Sequence, residues 1–406
     1  MAGGSRVDAM SDSALKTAAA GDLPSAMARL FDELAEAARG QMPQQTESLP
    51  DIPVTNYLDP ERWEAERDVL FRRYPLIAAH GSRLAPGHAL ALNLAGLPVV
   101  LTRNQVGEVA AFLNVCRHRG MRLLEEGEGR RCNALVCPYH GWSYELDGAL
   151  KNISRPEFFP DVGEKERASL ALRALPCEER HGLIWVLPDP EGSMDLDSWL
   201  GALGEDFDYL GLARDRCWHH SERQREANWK LIIDAFLESY HVRVLHRNTV
   251  YPFFLDSVAL SHDIGPHTRS AVARRGITEL TRRPASEGAL REVCTYTHFV
   301  FPNAVFIFHP DYTSLITIWP DEVGRLGWKH SMLVPPDRMD DSWRAHWDKS
   351  LALIDDGVFQ AEDLYAAEGI QVGLASGANE SLRLGAMEYL VARFHQHVEQ
   401  ALQGRL

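Results

Sequence analysis

The apolar positions of this chain change their period twice. Between residues 24 and 40, Met27, Leu30, Phe31 and Leu34 recur at helical spacing, and the glycine that follows predicts an amphipathic helix ending there. Residues 1–22 before it are small and polar and read as a mobile lead-in. A linker with Pro and Gln comes next, then a second predicted helix from about residue 60 to 73. From residue 75 to 188 the apolar runs shorten into HALALNLAGLPVVLTRN, EVAAFLNVC, NALVCP, WSYELDGAL and GLIWVLPDP, separated by turn residues. Short strands at such close spacing predict a small antiparallel sandwich or barrel. Beyond residue 190 the signal is mixed: WKLIIDAFLESYHVRVLH reads as helix, residues 294–320 and 325–333 as strands, and residues 342–406 as mainly helix. The expected fold class is therefore α+β, with an all-β module inserted in an α+β domain that owns both chain ends.

Composition narrows what such a chain does. At 406 residues, 45% of them hydrophobic, it has length for a substantial core and for two or three domains. The 42 Lys and Arg against 57 Asp and Glu leave a net charge of −15, which argues against nucleic acid or an anionic membrane surface as a partner. No apolar run is long enough to cross a bilayer, and the first residues lack the layout of a signal peptide, so the expected location is cytoplasmic. Six cysteines (Cys116, Cys132, Cys137, Cys177, Cys217 and Cys294) are too dispersed for a disulfide framework. In a reducing compartment metal binding is the better use for the two that stand beside histidines.

Two of these cysteines fall in CRHRGMRLLEEGEGRRCNALVCPYHGWSY, where Cys116 and His118 stand two positions apart and Cys137 and His140 three apart. Each pair follows a predicted strand and so sits in a loop. Two cysteines and two histidines hold structural zinc in many proteins, but zinc-finger spacing groups Cys with Cys and His with His. One Cys and one His per loop suits a [2Fe–2S] cluster in which one iron takes both thiolates and the other both imidazoles, because each loop then reaches both irons. Cys132 is the competing second thiol, with Leu135 three residues beyond it in place of a histidine. Gly127 and Gly129 are followed by Arg130, Arg131 and Cys132, so the dinucleotide-binding fingerprint fails.

A second group of ionisable residues, Asp234, Glu238, His241 and His246, interrupts the apolar segment NWKLIIDAFLESYHVRVLH. A lone histidine there would read as a satisfied core residue, but four such groups require partners or a metal. Glu238 and His241, three apart, share a helical face. His246 is five beyond His241, about 140° round an ideal helix, so the two imidazoles reach one metal only where the helix ends or bulges. Two histidines with one carboxylate make a facial triad that leaves positions open on Fe(II) for oxygen.

The C-x-H…C-x-x-H arrangement with its following GWSY resembles the Rieske proteins, and the E/D-x-x-H-x4-H segment resembles the Rieske non-haem iron oxygenases. From about Tyr57 to FHQHVEQAL the chain is similar to the large (α) subunits of aromatic-ring-hydroxylating oxygenases. The resemblance implies an N-terminal extension and helix over residues 1–45 packed on the catalytic domain, an all-β Rieske domain over 46–190, and a catalytic iron domain over 191–406 with a central antiparallel sheet flanked by helices. It implies a [2Fe–2S] cluster on Cys116, His118, Cys137 and His140, and a mononuclear Fe(II) on His241, His246 and Asp363. Asp363 lies in VFQAEDLYAAEGIQVGL; Glu362 is its alternative, and Asp355 and Asp356 are weaker ones.

By the same resemblance Glu238 bridges a cluster histidine of one subunit to an iron histidine of its neighbour in a head-to-tail homotrimer, to which a small β subunit is a possible addition. Asp234 fits the acid that precedes the bridge in the family, although Ala235 replaces the asparagine that follows it there. The activity implied is O2-dependent hydroxylation of a small organic substrate, first an aromatic acid or polycyclic ring. The alternative is demethylation or C–N bond oxidation of a small amine or quaternary ammonium. Electrons come from NAD(P)H through a separate reductase or ferredoxin. A Rieske electron carrier without oxygenase activity is the rival, and it has no use for the Glu238/His241/His246 segment. His219, His220, His395 and His397 read as surface residues, and Phe253, Phe254, Phe306, Phe308 and Trp319 as core aromatics or pocket walls.

Overall fold

Seven antiparallel strands make the largest sheet of the protein, whose structure, a computed structural model, describes residues 23–406 apart from 41, 42, 47, 128, 281 and 285. The lead-in read at residues 1–22 lies outside the described residues. In sheet order the strands are Arg216–Arg225, Arg325–Val334, Thr313–Glu322, Ala304–Phe308, Cys294–Val300, His267–Arg274 and Phe254–Ile264. Six of them, from Phe254 onward, form an up-and-down meander in which each strand pairs with the next. The four from Cys294 to Val334 were legible as strands because they are buried along most of their length. Arg216–Arg225, Phe254–Ile264 and His267–Arg274 were not anticipated: the first two are half-exposed and interleave charged residues with apolar ones, which blurs the alternation a strand shows. The helix Ser25–Gly40 forms as expected and lays Met27, Leu30, Phe31 and Leu34 against the last two strands of this sheet.

The region with the two Cys-His pairs is built on a five-stranded sheet in the order Ala174–Leu175, Val109–Leu113, Leu97–Arg103, His88–Leu94 and Arg130–Arg131. Its two faces go to different cores. Leu90, Leu92, Leu94, Val99 and Leu101 join the main core, while Ala89, Val100 and Phe112 turn toward a separate apolar group with Cys116, Cys137, Trp142 and Tyr144. Burial on both faces explains why HALALNLAGLPVVLTRN reads as an almost unbroken apolar run. Residues 52–70, which sequence reading placed at the head of this region, lie elsewhere. Ile52–Pro53 pairs with Ser381–Leu382, and the helix Pro60–Leu70 packs on the C-terminal helix Tyr389–Leu402.

Helices cover the large sheet where Asp234, Glu238, His241, His246 and Asp363 lie. Trp229–Phe236 begins at Asn228, whose side chain accepts from Lys230 N, and it stops at Phe236. The chain then turns through residues 237–241 before the short helix Val242–Leu245. Near the C-terminus Ala352–Asp363 is wound as a π-helix that continues into Leu364–Ala375. Among the described residues no helix is long and apolar enough to cross a membrane.

Candidate metal centres

The two Cys-His loops share one backbone design. In the first, Cys116 N donates to Met121 O (2.8 Å) and Gly120 N donates back to Cys116 O (3.0 Å); in the second, Cys137 N donates to Trp142 O (2.7 Å) and Gly141 N to Cys137 O (3.0 Å). Each loop closes four residues beyond its cysteine on a glycine in the left-handed region, Gly120 at φ 76° and Gly141 at φ 71°, where a side chain would strain the turn. The loops bring the two thiols together, both 3% exposed, and set the His118 and His140 rings 4.7 Å apart. Trp142 stacks on His118 at 4.9 Å, and the Tyr144 hydroxyl lies 3.3 Å from Cys116 Sγ. Cys132 is half-buried at the margin of this group.

One observation tests whether these four residues fit a cluster. His118 Nδ1 and His140 Nδ1 are both buried and have no hydrogen-bond partner, although the rest of each ring is half-exposed. Buried ring nitrogens are normally satisfied. Two unpartnered imidazole nitrogens on neighbouring rings, with two buried thiols, fit the donor set of a mixed His/Cys [2Fe–2S] centre. Burial, and then the neighbouring His140, pull the His118 pKa down, which favours the neutral imidazole that a metal requires.

The second site sits where the helix breaks. His241 and His246 flank the four-residue helix Val242–Leu245, so the 140° separation on a continuous helix does not apply and the rings meet at 5.1 Å. His246 Nε2 lies 3.0 Å and His241 Nε2 3.7 Å from Asp363 Oδ1. Donor atoms of these three residues all fall within 4.8 Å of one another, close enough for a single ion. Behind the triad each imidazole is held by a carboxylate on its other nitrogen. Glu238 Oε1 accepts from His241 Nδ1, and Glu362 Oε2 lies 2.7 Å from His246 Nδ1. Such carboxylates fix the tautomer that turns Nε2 toward a metal and make the ring more basic. Burial alone would lower the His246 pKa, but Asp363 and Glu362 on its two sides raise it above the ordinary value. The geometry thus separates the acidic neighbours: Asp363 converges with the histidines, and Glu362 stands behind His246, where it also accepts from Thr249 Oγ1 (2.7 Å).

The π-helix has a direct part in this. With hydrogen bonds from i to i+5, Ile354, Phe359 and Asp363 fall on one side and all line the same cavity. On an α-helix the first two would stand about 140° apart. Asp355 points elsewhere: it is 2% exposed and holds His330 Nδ1 at 3.0 Å and the Arg223 guanidinium at 3.0 Å. Asp356 faces solvent beside the same arginine.

Other sequence assignments divide. Asp234 is absent from the wall of the phenylalanine-lined cavity beside the triad but lines a second cavity that also reaches Glu238, His241 and Asp363; it accepts from Tyr57 Oη (2.6 Å) and lies 3.2 Å from His395 Nε2. His395, expected at the surface, is 3% exposed and completes that buried group, because the C-terminal helix turns it inward against Tyr57. His220 is also more enclosed than expected, held between Ser331 Oγ (2.8 Å) and Glu222 Oε1 (2.9 Å). Glu222 lies two residues along the same strand, a pairing visible in the sequence as HSE.

A cavity of about 270 Å³ opens beside the triad, walled by Phe236, Phe253, Phe254, Ile307 and Phe359, with Arg274, Thr295, His309 and Tyr312 also on its lining. Phe253 and Phe254 are thus pocket walls, whereas Phe306, Phe308 and Trp319 are core. A second cavity of about 490 Å³ reaches Glu238, His241 and Asp363 between Trp229–Phe236 and Leu364–Ala375.

Residues 75–161 match the Rieske [2Fe-2S] domain family, and residues 210–404 match the ring hydroxylating alpha subunit (catalytic domain) family. The carnitine monooxygenase oxygenase subunit of Acinetobacter baumannii is 30% identical over 227 residues, 54% of this chain and 58% of that protein, so the alignment spans less than two thirds of the relative. The protein of the same name from Escherichia coli (strain K12) is 25% identical over 87% of this chain and 94% of its own length. Among solved structures, a quaternary ammonium Rieske monooxygenase superposes with a TM-score of 0.73 at 22% identity, over 88% of this chain and 100% of that one. Naphthalene 1,2-dioxygenase from Rhodococcus sp. superposes at 0.72 with 19% identity, over 93% and 98%. At these identities the likeness to both structures speaks for the fold.

Proposed function

The chain belongs to the Rieske non-haem iron oxygenases, and from that premise we propose that it is a terminal oxygenase component oxidising a small organic molecule in the cavity beside His241, His246 and Asp363. The observation that carries this reading is the convergence of three donor atoms at a cavity wall, each imidazole backed by its own carboxylate. When bound, iron at this triad supplies O2 activation, and a [2Fe–2S] group on Cys116, His118, Cys137 and His140 supplies single electrons. The chain's own residues do the rest. Glu238 and Glu362 hold the imidazoles in one tautomer, the phenylalanine walls exclude water, and the cavity lining orients the substrate.

Monooxygenation consumes one O2, two electrons and two protons for each substrate hydroxylated and returns one water. With no dinucleotide fingerprint in the sequence, the electrons come from a separate reductase or ferredoxin. The relatives named for carnitine support oxidation next to a nitrogen as the reaction. Ring hydroxylation of an aromatic substrate is the second reading, favoured by the four phenylalanines on the cavity wall. We place the chain in the cytoplasm and in a head-to-tail homotrimer, where Glu238 meets a cluster histidine of the neighbouring copy.

Metal analysis with EPR tests the core of this reading. The expected result is about three irons and two acid-labile sulfides per chain, with the low average g-value of a His/Cys cluster on dithionite reduction. Cys137→Ala abolishes that signal and Cys132→Ala leaves it. Zinc without sulfide would sink the assignment.

Glu238→Gln is the more discriminating variant. Glu238 Oε2 accepts from the backbone N–H groups of Tyr240 and His241, and Oε1 from His241 Nδ1, so every contact is as acceptor. Glutamine offers one acceptor oxygen and places an N–H₂ against a donor. Both metals are expected to stay, with electron transfer in a single turnover slowed roughly 10- to 100-fold. Unchanged single-turnover kinetics would remove Glu238 from the electron path.

A further inference from the structure

The buried cations among the described residues have counter-ions: Arg103 pairs with Glu179, Lys230 with Glu66, Arg269 with Asp206 and Arg291 with Glu287. Arg72, half-buried, has no carboxylate but is satisfied by the backbone carbonyls of Phe71, Leu94 and Ala95. Arg274, also half-buried, has neither. It ends the strand His267–Arg274, lines the cavity beside the metal triad, and donates to a single neutral acceptor, Thr295 Oγ1, at 3.3 Å. Its guanidinium lies over the Phe254 ring at 5.3 Å and the Phe253 ring at 5.5 Å, and no carboxylate among the described residues lies within ion-pair distance. Asp311 is the acidic side chain whose charge reaches it, and that carboxylate is held by His346. Partial burial pulls the Arg274 pKa down, the sign of a charge taken from water without full compensation. A guanidinium has five N–H donors, and most of those here are free to meet an incoming group.

We propose that Arg274 is the anion anchor of this cavity: the molecule oxidised at the triad carries a carboxylate, which pairs with the Arg274 guanidinium in a subsite shared with Thr295, His309 and Tyr312. The two aromatic faces hold the guanidinium plane in place, so its fork is set before the ligand arrives. His309 and Tyr312 stack at 4.2 Å on the same cavity lining and narrow what sits beside the carboxylate. The anchor also restricts substrates with a cationic end. Phe253 and Phe254 already carry one positive charge, so a quaternary ammonium group lies away from them, with its carboxylate rather than its ammonium at Arg274. Both an aromatic acid and a betaine meet this requirement; a neutral hydrocarbon or an amino alcohol does not.

The inference rests on the oxygenase reading for what happens to the ligand, and binding tests it without turnover. Titration calorimetry of the metal-loaded protein compares benzoate with benzamide, and γ-butyrobetaine with its primary amide. Each pair differs in the charge of one end. At least one acid is expected to bind roughly 10- to 100-fold more tightly than its amide, as charge-assisted hydrogen bonds to a carboxylate require. Arg274→Met brings that ratio within about 3-fold, and Arg274→Lys, which keeps the charge and loses the fork, falls between. Unaltered iron and sulfide content shows that the variants are folded; should Arg274→Met fail to fold, the wild-type ratio and Arg274→Lys decide. No acid outbinding its amide in the wild-type protein, or a preference that survives Arg274→Met, overturns the anchor. An acid preference in a protein whose triad takes no iron would overturn the oxygenase reading and leave the subsite standing.

Discussion

Asp363→Ala is expected to remove one of about three irons per chain and to drop substrate turnover below about one per cent of wild type, while the reduced-cluster EPR signal stays. The loss should exceed the roughly 10- to 100-fold typical of removing a group that only orients a ligand. Asp363 Oδ1 is the anionic donor between the two Nε2 atoms, and alanine leaves two neutral imidazoles with nothing to offset the charge of Fe(II). Glu362 cannot take its place from where it stands, since it lies on the Nδ1 side of His246. Glu362→Ala should therefore behave differently: iron binds more weakly, by roughly 10- to 100-fold, and turnover returns when Fe(II) is added. Iron content by plasma emission and the EPR spectra of both variants check this. Equal iron loss in the two, or greater loss from Glu362→Ala, would reverse the division of labour between adjacent carboxylates.

That division shows where sequence reading reached and where it stopped. The cluster pairs were legible because each is local: cysteine, histidine and the loop-closing glycine lie within six residues, and Gly120 and Gly141 fall at the same place in both loops. The histidine pair was legible as a condition. Five residues between His241 and His246 demanded a broken helix, and the chain supplies the break at residues 237–241. The third ligand position was not legible from periodicity, because a 3.6-residue period is the wrong ruler for a π-wound segment. Arg274, Lys230 and His395 were missed for another reason. Their significance depends on which partners the fold brings to them, or fails to bring, and those lie tens to hundreds of residues away. Among the unanticipated strands Arg216–Arg225 shares this origin, pairing with the distant Arg325–Val334, whereas Phe254–Ile264 and His267–Arg274 pair with each other as a hairpin whose interleaved polar residues blur the alternation.

Lys230 carries the largest expected effect on stability. It sits in the first turn of Trp229–Phe236, the helix that leads into Glu238 and His241, and neither it nor Glu66 has any exposed side-chain surface. Glu66 Oε2 accepts from Lys230 Nζ (2.6 Å) and Trp229 Nε1 (3.1 Å), and Oε1 from Arg62 Nε (2.8 Å), so one carboxylate fastens this helix to Pro60–Leu70. Glu66→Ala leaves a buried ammonium whose other neighbours are the faces of Tyr57 and Trp229. The expected cost is about 3–5 kcal/mol, read as a lowered denaturant midpoint at pH 7. Its pH dependence has a definite sign. Burial already lowers the Lys230 pKa and Glu66 raises it in opposition, so without Glu66 the folded state releases the proton earlier still. The unfolded state then binds more protons up to its own pKa of about 10.4, and stability rises with pH across that window. The deficit of Glu66→Ala should therefore shrink between pH 7 and pH 10. Replacing both partners, as Glu66→Leu with Lys230→Met, should recover most of it, because no buried charge remains. A deficit that is constant with pH and persists in the double variant would place the loss in packing between the two helices, and Lys230 would not be what pins the segment that leads into Glu238 and His241.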